Sequence, residues 1–293
     1  MSIATAIQNA QQKVANAYTA AAAKGAIMPA TQNLSNLATT ISSVSGGGQG
    51  VAKTTNPDGV LVNICANIID LNGATDVGER VLSYAYYGAS FPANTSANLS
   101  SLTKLSGFHA CENMCNSCTG LTSVNLSSLT TISGTYACSG MFANCTGITS
   151  INMSALKTIT INYACQGMFS GCTGLTSANL SVLTTISGSY ACNNMFSGCA
   201  GLTSVNLSAL TTIESNYTCQ NMFANCIGLT SISFPALQEI LPATFQNQFS
   251  NMFNGCTKLK EIHFPANMQS RVEQMIGYAT QFGATNATIY FDL

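Results

Sequence analysis

The chain has 293 residues, enough for one large domain or two ordinary ones with a real buried core. Only 6% of its residues are charged and its formal net charge is -1, so no basic field exists to hold nucleic acid or an anionic membrane. No run of about eighteen apolar residues occurs, so no membrane insertion is expected; hydration falls instead to Ser, Thr, Asn and Gln, as in chains that stack as regular β-structure or assemble into larger particles.

Taken in chain order, Ile3, Ile7, Ala10, Val14, Ala17 and Ala21 recur at spacings of four and three, which predicts a helix with a narrow heptad-like seam. The segment has neither the basic start nor the continuous apolar stretch of a signal peptide, so the chain is expected to be made in a reducing cytosol. Such a helix could pack on its own domain, or serve as a subunit contact or docking helix; the spacing fits both. Pro29 suits a second helix start, and Leu34, Leu37, Ile41 and Val44 form another apolar stripe. These elements make 1–44 a helical module, followed by a flexible linker at 45–50, "SGGGQG". Residues 51–93 are read as the N-terminal cap of the array at 94–265, with "VLVNICANIIDLNG" either a buried strand or the first cap itself.

A repeat organises 94–265. Tyr136-Ala137-Cys138 returns as Tyr163-Ala164-Cys165, Tyr190-Ala191-Cys192 and Tyr217-Thr218-Cys219. Met141-Phe142 returns as Met168-Phe169, Met195-Phe196, Met222-Phe223 and, three residues late, Met252-Phe253. Cys138, Met141, Phe142 and Cys145 sit at i, i+3, i+4 and i+7, the pattern of one helix face, and Gly147 follows as the expected helix C-cap. Val124 and Leu126 then alternate with Ser123, Asn125 and Ser127, the period of a half-buried strand. One unit is thus read as a short helix, a short strand and a return. Roughly six to seven such turns stack, since none buries its apolar face alone.

The stretch Phe142-Ala143-Asn144-Cys145-Thr146-Gly147-Ile148-Thr149-Ser150-Ile151-Asn152-Met153, with its copies, resembles the leucine-rich repeats of the BspA-like type. The resemblance implies an α/β solenoid; the unit here is longer than usual, with the extra residues around "SGTYACSG" lengthening the helix or bulging the convex side. A second resemblance concerns "MPATQNLSNLATTI", above all Pro29 to Leu34 with Asn36-Leu37, which is similar to the N-terminal module of many tailed-phage structural and tail-fibre proteins. It implies attachment to other virion proteins through the N-terminal helices, with the rest displayed outward. The rival expectation is a bacterial cell-surface leucine-rich-repeat adhesin, against which the missing signal peptide speaks. After the repeats, 266–293 is expected to form a C-terminal cap: a helix over "MQSRVEQMIGYATQFG" and a strand over "ATIYFDL".

Thirteen cysteines ask for an explanation. On one helix, Cys138 and Cys145 would lie roughly 10 Å apart, beyond the about 4.4–6.8 Å a disulfide needs. Metal binding favours paired C-x2-C units or added histidines, and only Cys115 and Cys118 have that spacing. Phenylalanine exchanges with cysteine between copies: Phe249 stands in the column of Cys219, Cys115 in that of Phe142, and Phe91 in that of Cys118. Cys118, Cys138, Cys145, Cys165, Cys172, Cys192, Cys199, Cys219, Cys226 and Cys256 are therefore read as structural core thiols, with no metal and no cofactor.

Ionisable groups are too sparse for catalysis within the repeats. Glu112 and Glu214 would stand roughly 18 Å apart at one strand spacing per turn, against about 5–9.5 Å for a glycosidase pair. A virion-borne glycan depolymerase would have to draw on Glu239, Glu261 and His263. What remains is a surface. Ser123, Asn125, Ser150, Asn152, Ser177, Asn179, Ser204, Asn206, Ser231 and Ser233 should form parallel exposed rows, suited to a host glycan or protein, or else simply solvated strand residues with laddering amides. Tyr136, Tyr163, Tyr190 and Tyr217 form a further row, either lining the convex loop or packed beneath it. The expectation is a non-enzymatic protein of the virion whose repeat face binds a host surface or decorates the particle, with homo-oligomers possible.

Overall fold

A computed structural model describes residues 63–65, 68–70, 75–91, 93–241, 247–273 and 282–293. The N-terminal module at 1–44 and the linker lie outside the described residues. The chain coils as a parallel β-solenoid whose rungs carry one strand in each of two sheets and a long run of turns between them. The first sheet runs through Asn63–Cys65, Ile68–Asp70, Thr95–Asn98, Leu121–Asn125, Ser150–Asn152, Ser177–Asn179 and Ser204–Asn206. Its line is continued by Ser231–Ser233, Glu261–Phe264 and Thr288–Phe291. Register is strict: Ser150 pairs with Ser177 and Ser177 with Ser204. The cause is the strand period of two, since Ile151 and Ala178 point into the core between exposed Ser and Asn neighbours. The second sheet is built from two-residue strands such as Thr131–Ile132, Thr158–Ile159 and Thr185–Ile186, each with its isoleucine buried.

The expected helix is not there. From Gly134 to Cys145 the backbone forms consecutive turns whose amides alternate between two kinds of partner. The N–H groups of Ala137, Ser139, Met141, Ala143 and Cys145 donate to the carbonyl three residues back. Those of Cys138, Gly140, Phe142 and Asn144 donate to the next rung, at Ala164, Gln166, Met168 and Ser170. Every fourth residue is left-handed: Tyr136, Gly140 and Asn144 have φ of 58, 58 and 57°. An α-helix would close all its amides on itself; this arrangement stitches neighbouring rungs together instead. The apolar positions fit both readings, because Ala137-Cys138, Met141-Phe142 and Cys145 are pairs with a period of four. The "SGTYACSG" residues therefore belong to a turn ladder, and no longer helix forms there.

Gly147 is likewise no helix cap. A Cβ at this position would lie 2.8 Å from the carbonyl oxygen of Leu121, so glycine is required for close approach to the preceding rung.

The core is a set of columns. Phe142, Phe169, Phe196, Phe223 and Phe253 are fully enclosed and stack with ring centroids 5.6 to 5.9 Å apart. The twelve described cysteines are buried free thiols and, Cys115 apart, fall in two columns. In one of them, the Sγ–H groups of Cys118, Cys145, Cys172, Cys199, Cys226 and Cys256 each donate to a carbonyl of the preceding rung at 2.9–3.2 Å. Backbone pairing places Phe249 beside Cys219 and Cys115 beside Phe142, as the copies suggest. It gives Ala89, not Phe91, as the neighbour of Cys118, because the amide of Gly88 pairs as that of Ser117 does one rung later.

The ladder continues beyond 94–265 at both ends. Residues 75–91 form a rung whose turns bond to 108–116, and Asn63–Cys65 folds back antiparallel on Ile68–Asp70. Towards the C-terminus a helix occupies Gln269–Glu273, and Thr288–Phe291 pairs parallel to Glu261–Phe264 as one further rung.

Candidate binding faces

The serine and asparagine rows lie on the outer side of the first sheet. Ser150, Asn152, Ser177, Asn179, Ser204, Asn206, Ser231 and Ser233 are exposed; Ser123 and Asn125 are half-buried. The two columns differ in their chemistry. Asparagine Oδ1 accepts the amide two residues on at Asn125, Asn152, Asn179 and Asn206, with distances of 3.0–3.2 Å. The oxygen is thereby used in an Asx-turn that ends the strand, leaving the Nδ2 donors for a partner. On this face, among the described residues, amide laddering is confined to Asn125 Nδ2 on Asn98 Oδ1, at 3.4 Å. A flanking column is tied down as well: Thr149, Thr176 and Thr203 hydroxyls each donate to the threonine carbonyl one rung back. The face is a register-locked, uncharged array of hydroxyls and amide N–H groups.

The tyrosines sit on the turn side, half-buried. Tyr136, Tyr163, Tyr190 and Tyr217 stack at 4.6, 5.0 and 4.9 Å, nearly parallel, and His109 stacks on Tyr136 at 4.8 Å. Their φ angles of 55–58° are costly for so large a residue. Ring-on-ring packing covers both faces of the inner rings, so these tyrosines offer edges and hydroxyls where a sugar needs an open ring face. Sequence reasoning passed over rings that are more exposed. Tyr84, Tyr87 and Phe108 are 53%, 56% and 43% exposed, with Arg80 over the Phe108 ring. The signal was present: in the matching columns the later rungs carry Asn, Gly, Ala, Ser or Thr.

Of the three groups considered for depolymerase chemistry, only two meet. His263 Nε2 lies 3.6 Å from a Glu261 oxygen, its Nδ1 lies 2.8 Å from Asp292, and its ring stacks on Tyr290. Glu239 stands in the other sheet, on Glu239–Ile240. The hydrogen bond that His263 Nδ1–H donates to Asp292, helped by Glu261, holds the His263 pKa above its ordinary value. That favours imidazolium, a clamp between carboxylates more than a proton acceptor.

Burial pushes three of the thiols up, to about 12 at Cys199 and Cys219 and about 11 at Cys256, away from nucleophile or ligand chemistry, whereas hydrogen bonds from the Cys115 and Cys145 thiols hold Cys118 well below its ordinary value, at about 4. Among the described residues no three His, Cys, Asp or Glu side chains converge as a metal site, and no helix is long and apolar enough to cross a membrane.

A leucine-rich-repeat protein of T. pallidum, known from its crystal structure, aligns with 72% of this chain and 83% of its own at 15% identity, with a TM-score of 0.26. No curated protein matches the chain. The model of the BspA type leucine rich repeat region matches in 6 copies, over residues 89–163, 111–251 and 192–281. With its repeating register, buried columns and family match all falling on the same residues, the chain belongs to the BspA-type leucine-rich-repeat family.

Proposed function

We propose that this is a non-enzymatic binding protein whose serine and asparagine face engages a neutral, hydrogen-bonding partner on a host surface. The observation that carries this reading is the exposed, register-locked array running from Ser150-Asn152 to Ser231-Ser233. Rows so regular present donors at the strand spacing of about 4.7–4.9 Å without any charge for salt to screen. A repeat family of this architecture supports a binding role, since stacked rungs create extended surfaces. The likeness of the N-terminal stretch to tailed-phage structural proteins supports placing the chain on a virion, held by its first 44 residues, with the repeats outward.

Two measurements test the proposal. Purified protein is expected to bind host cells with an affinity unchanged by added salt, and Ser177→Arg with Asn179→Arg should abolish binding while the fold persists. Binding lost to salt, or undiminished in the double variant, removes the face from consideration. Mass spectrometry of purified particles tests the virion assignment. Reproducible sugar release, lost on changing Glu239 or Glu261, would overturn the non-enzymatic reading.

A further inference from the structure

The two sheets end differently at the C-terminal side. In the second sheet the forward-facing carbonyls of Ile159, Ile186 and Ile213 accept amides of Ser187, Glu214 and Leu241 from the following rung. Ile240 is the same position on the last strand, and the Arg271 guanidinium donates to its oxygen from Nε and Nη2 at 3.0 and 2.7 Å. That edge is sealed by a side chain. Among the described residues the first sheet has no such seal: Thr288–Phe291 is its last described strand, and no described residue pairs with its outer side.

Its open side can be specified. The forward amides of Leu99, Leu126, Leu180 and Phe234 each reach the next rung, and the position in register with Phe234 and Phe264 is Phe291. Ladder alternation makes Ile289 and Phe291 the residues whose N–H and C=O groups point outward. The strand carries no charged side chain, proline or bulge, the usual devices that protect an edge. Its apolar residues are also under-covered: Ile262 and Phe264 are fully enclosed, whereas Ile289 and Phe291 are half-buried.

We infer that Thr288–Phe291 is a homodimer interface, pairing antiparallel with the same strand of a second copy about a two-fold axis at Tyr290. A second copy fits because the open groups are self-complementary. With Tyr290 opposite Tyr290, Ile289 and Phe291 of one chain exchange N–H and C=O with Phe291 and Ile289 of the other. Thr288 then faces Asp292, whose carboxylate is held by His263, so no like charges oppose. The His263–Tyr290 stack, with centroids at 4.9 Å, continues through the axis into its copy. The pairing is isologous and closes at two chains.

Sedimentation of the full chain at high micromolar concentration should give a dimer. Tyr290 is 38% exposed on the outer side, so Tyr290→Lys should fold and sediment at half that mass. An equimolar mixture of Tyr290→Lys and Tyr290→Glu should recover the dimer. Directly opposed non-hydrogen-bonded residues lie about 4.5 Å apart at Cα, so Tyr290→Cys should cross-link to a covalent dimer under mild oxidation. A monomeric wild type, an open polymer, undiminished assembly of Tyr290→Lys, or a Tyr290→Cys variant that does not cross-link would each overturn the inference.

Discussion

Replacing Gly167 by alanine separates the turn ladder from the helix by the sign of the effect. Gly167 has φ of 58° and its Cβ would meet nothing closer than Ser170 Cβ at 3.9 Å, so backbone conformation alone decides the outcome. In an α-helix the change would stabilise by about 0.8–1.0 kcal/mol. In the left-handed region alanine costs about 1–2 kcal/mol, offset in part by about 0.4–1 kcal/mol from the stiffer unfolded chain. The net expectation is a loss of about 1 kcal/mol. Urea denaturation should show it as a midpoint lowered by roughly 0.3–1 M at constant slope. The column supplies its own control: Asn113, Asn194, Asn221 and Asn251 occupy it with φ of 49, 55, 53 and 54°, so Gly167→Asn should be close to neutral. A Gly167→Ala variant more stable than wild type would refute the turn assignment.

Two further outcomes are expected. A thiol reagent at mildly alkaline pH should leave the twelve buried cysteines of the native protein almost unmodified and titrate all thirteen after denaturation, because burial blocks access to those twelve and also raises the pKa values of Cys199 and Cys219; fast native labelling of Cys199 or Cys219 would contradict the core assignment. The His263–Asp292 pair has a raised histidine pKa, so its contribution is full below the ordinary histidine value and is lost as pH rises through the raised one. Between about pH 6 and 8 the stability of wild type should fall more steeply than that of Asp292→Asn, and equal slopes would deny the pairing.

Much of this architecture could be read from residues because the copies check one another. Strand register, the buried cysteine and phenylalanine columns and the outward Ser and Asn rows all follow from which positions exchange only with apolar or only with polar types. The turn ladder did not emerge, for a physical reason. Pairs at a period of four and a stripe at 3.6 coincide over two turns, and Cys138 to Cys145 is only that long. Gly140 and Asn144, four apart and both tolerant of positive φ, held the distinguishing signal. The stacking of Tyr136 to Tyr217 was hidden because no local rule places a tyrosine in a left-handed position; the ladder of neighbouring rings does. Arg271 could not be found either, since its partner carbonyl lies 31 residues away on another sheet.

Because the turn segments spend half of their amides on the following rung, every rung presents the same outlet and the same inlet. The spacing between Ser231 and its partner Glu261 is already three residues longer than that between Ser177 and Ser204, and pairing is kept on both sides. A 27-residue block such as 163–189 is therefore a graft that fits between any two of its siblings. Adding or deleting one would lengthen or shorten the polar face by about 4.8 Å without a single new junction. The reach of this surface is set by copy number, so it behaves as a ruler whose length can change while its ends stay the same.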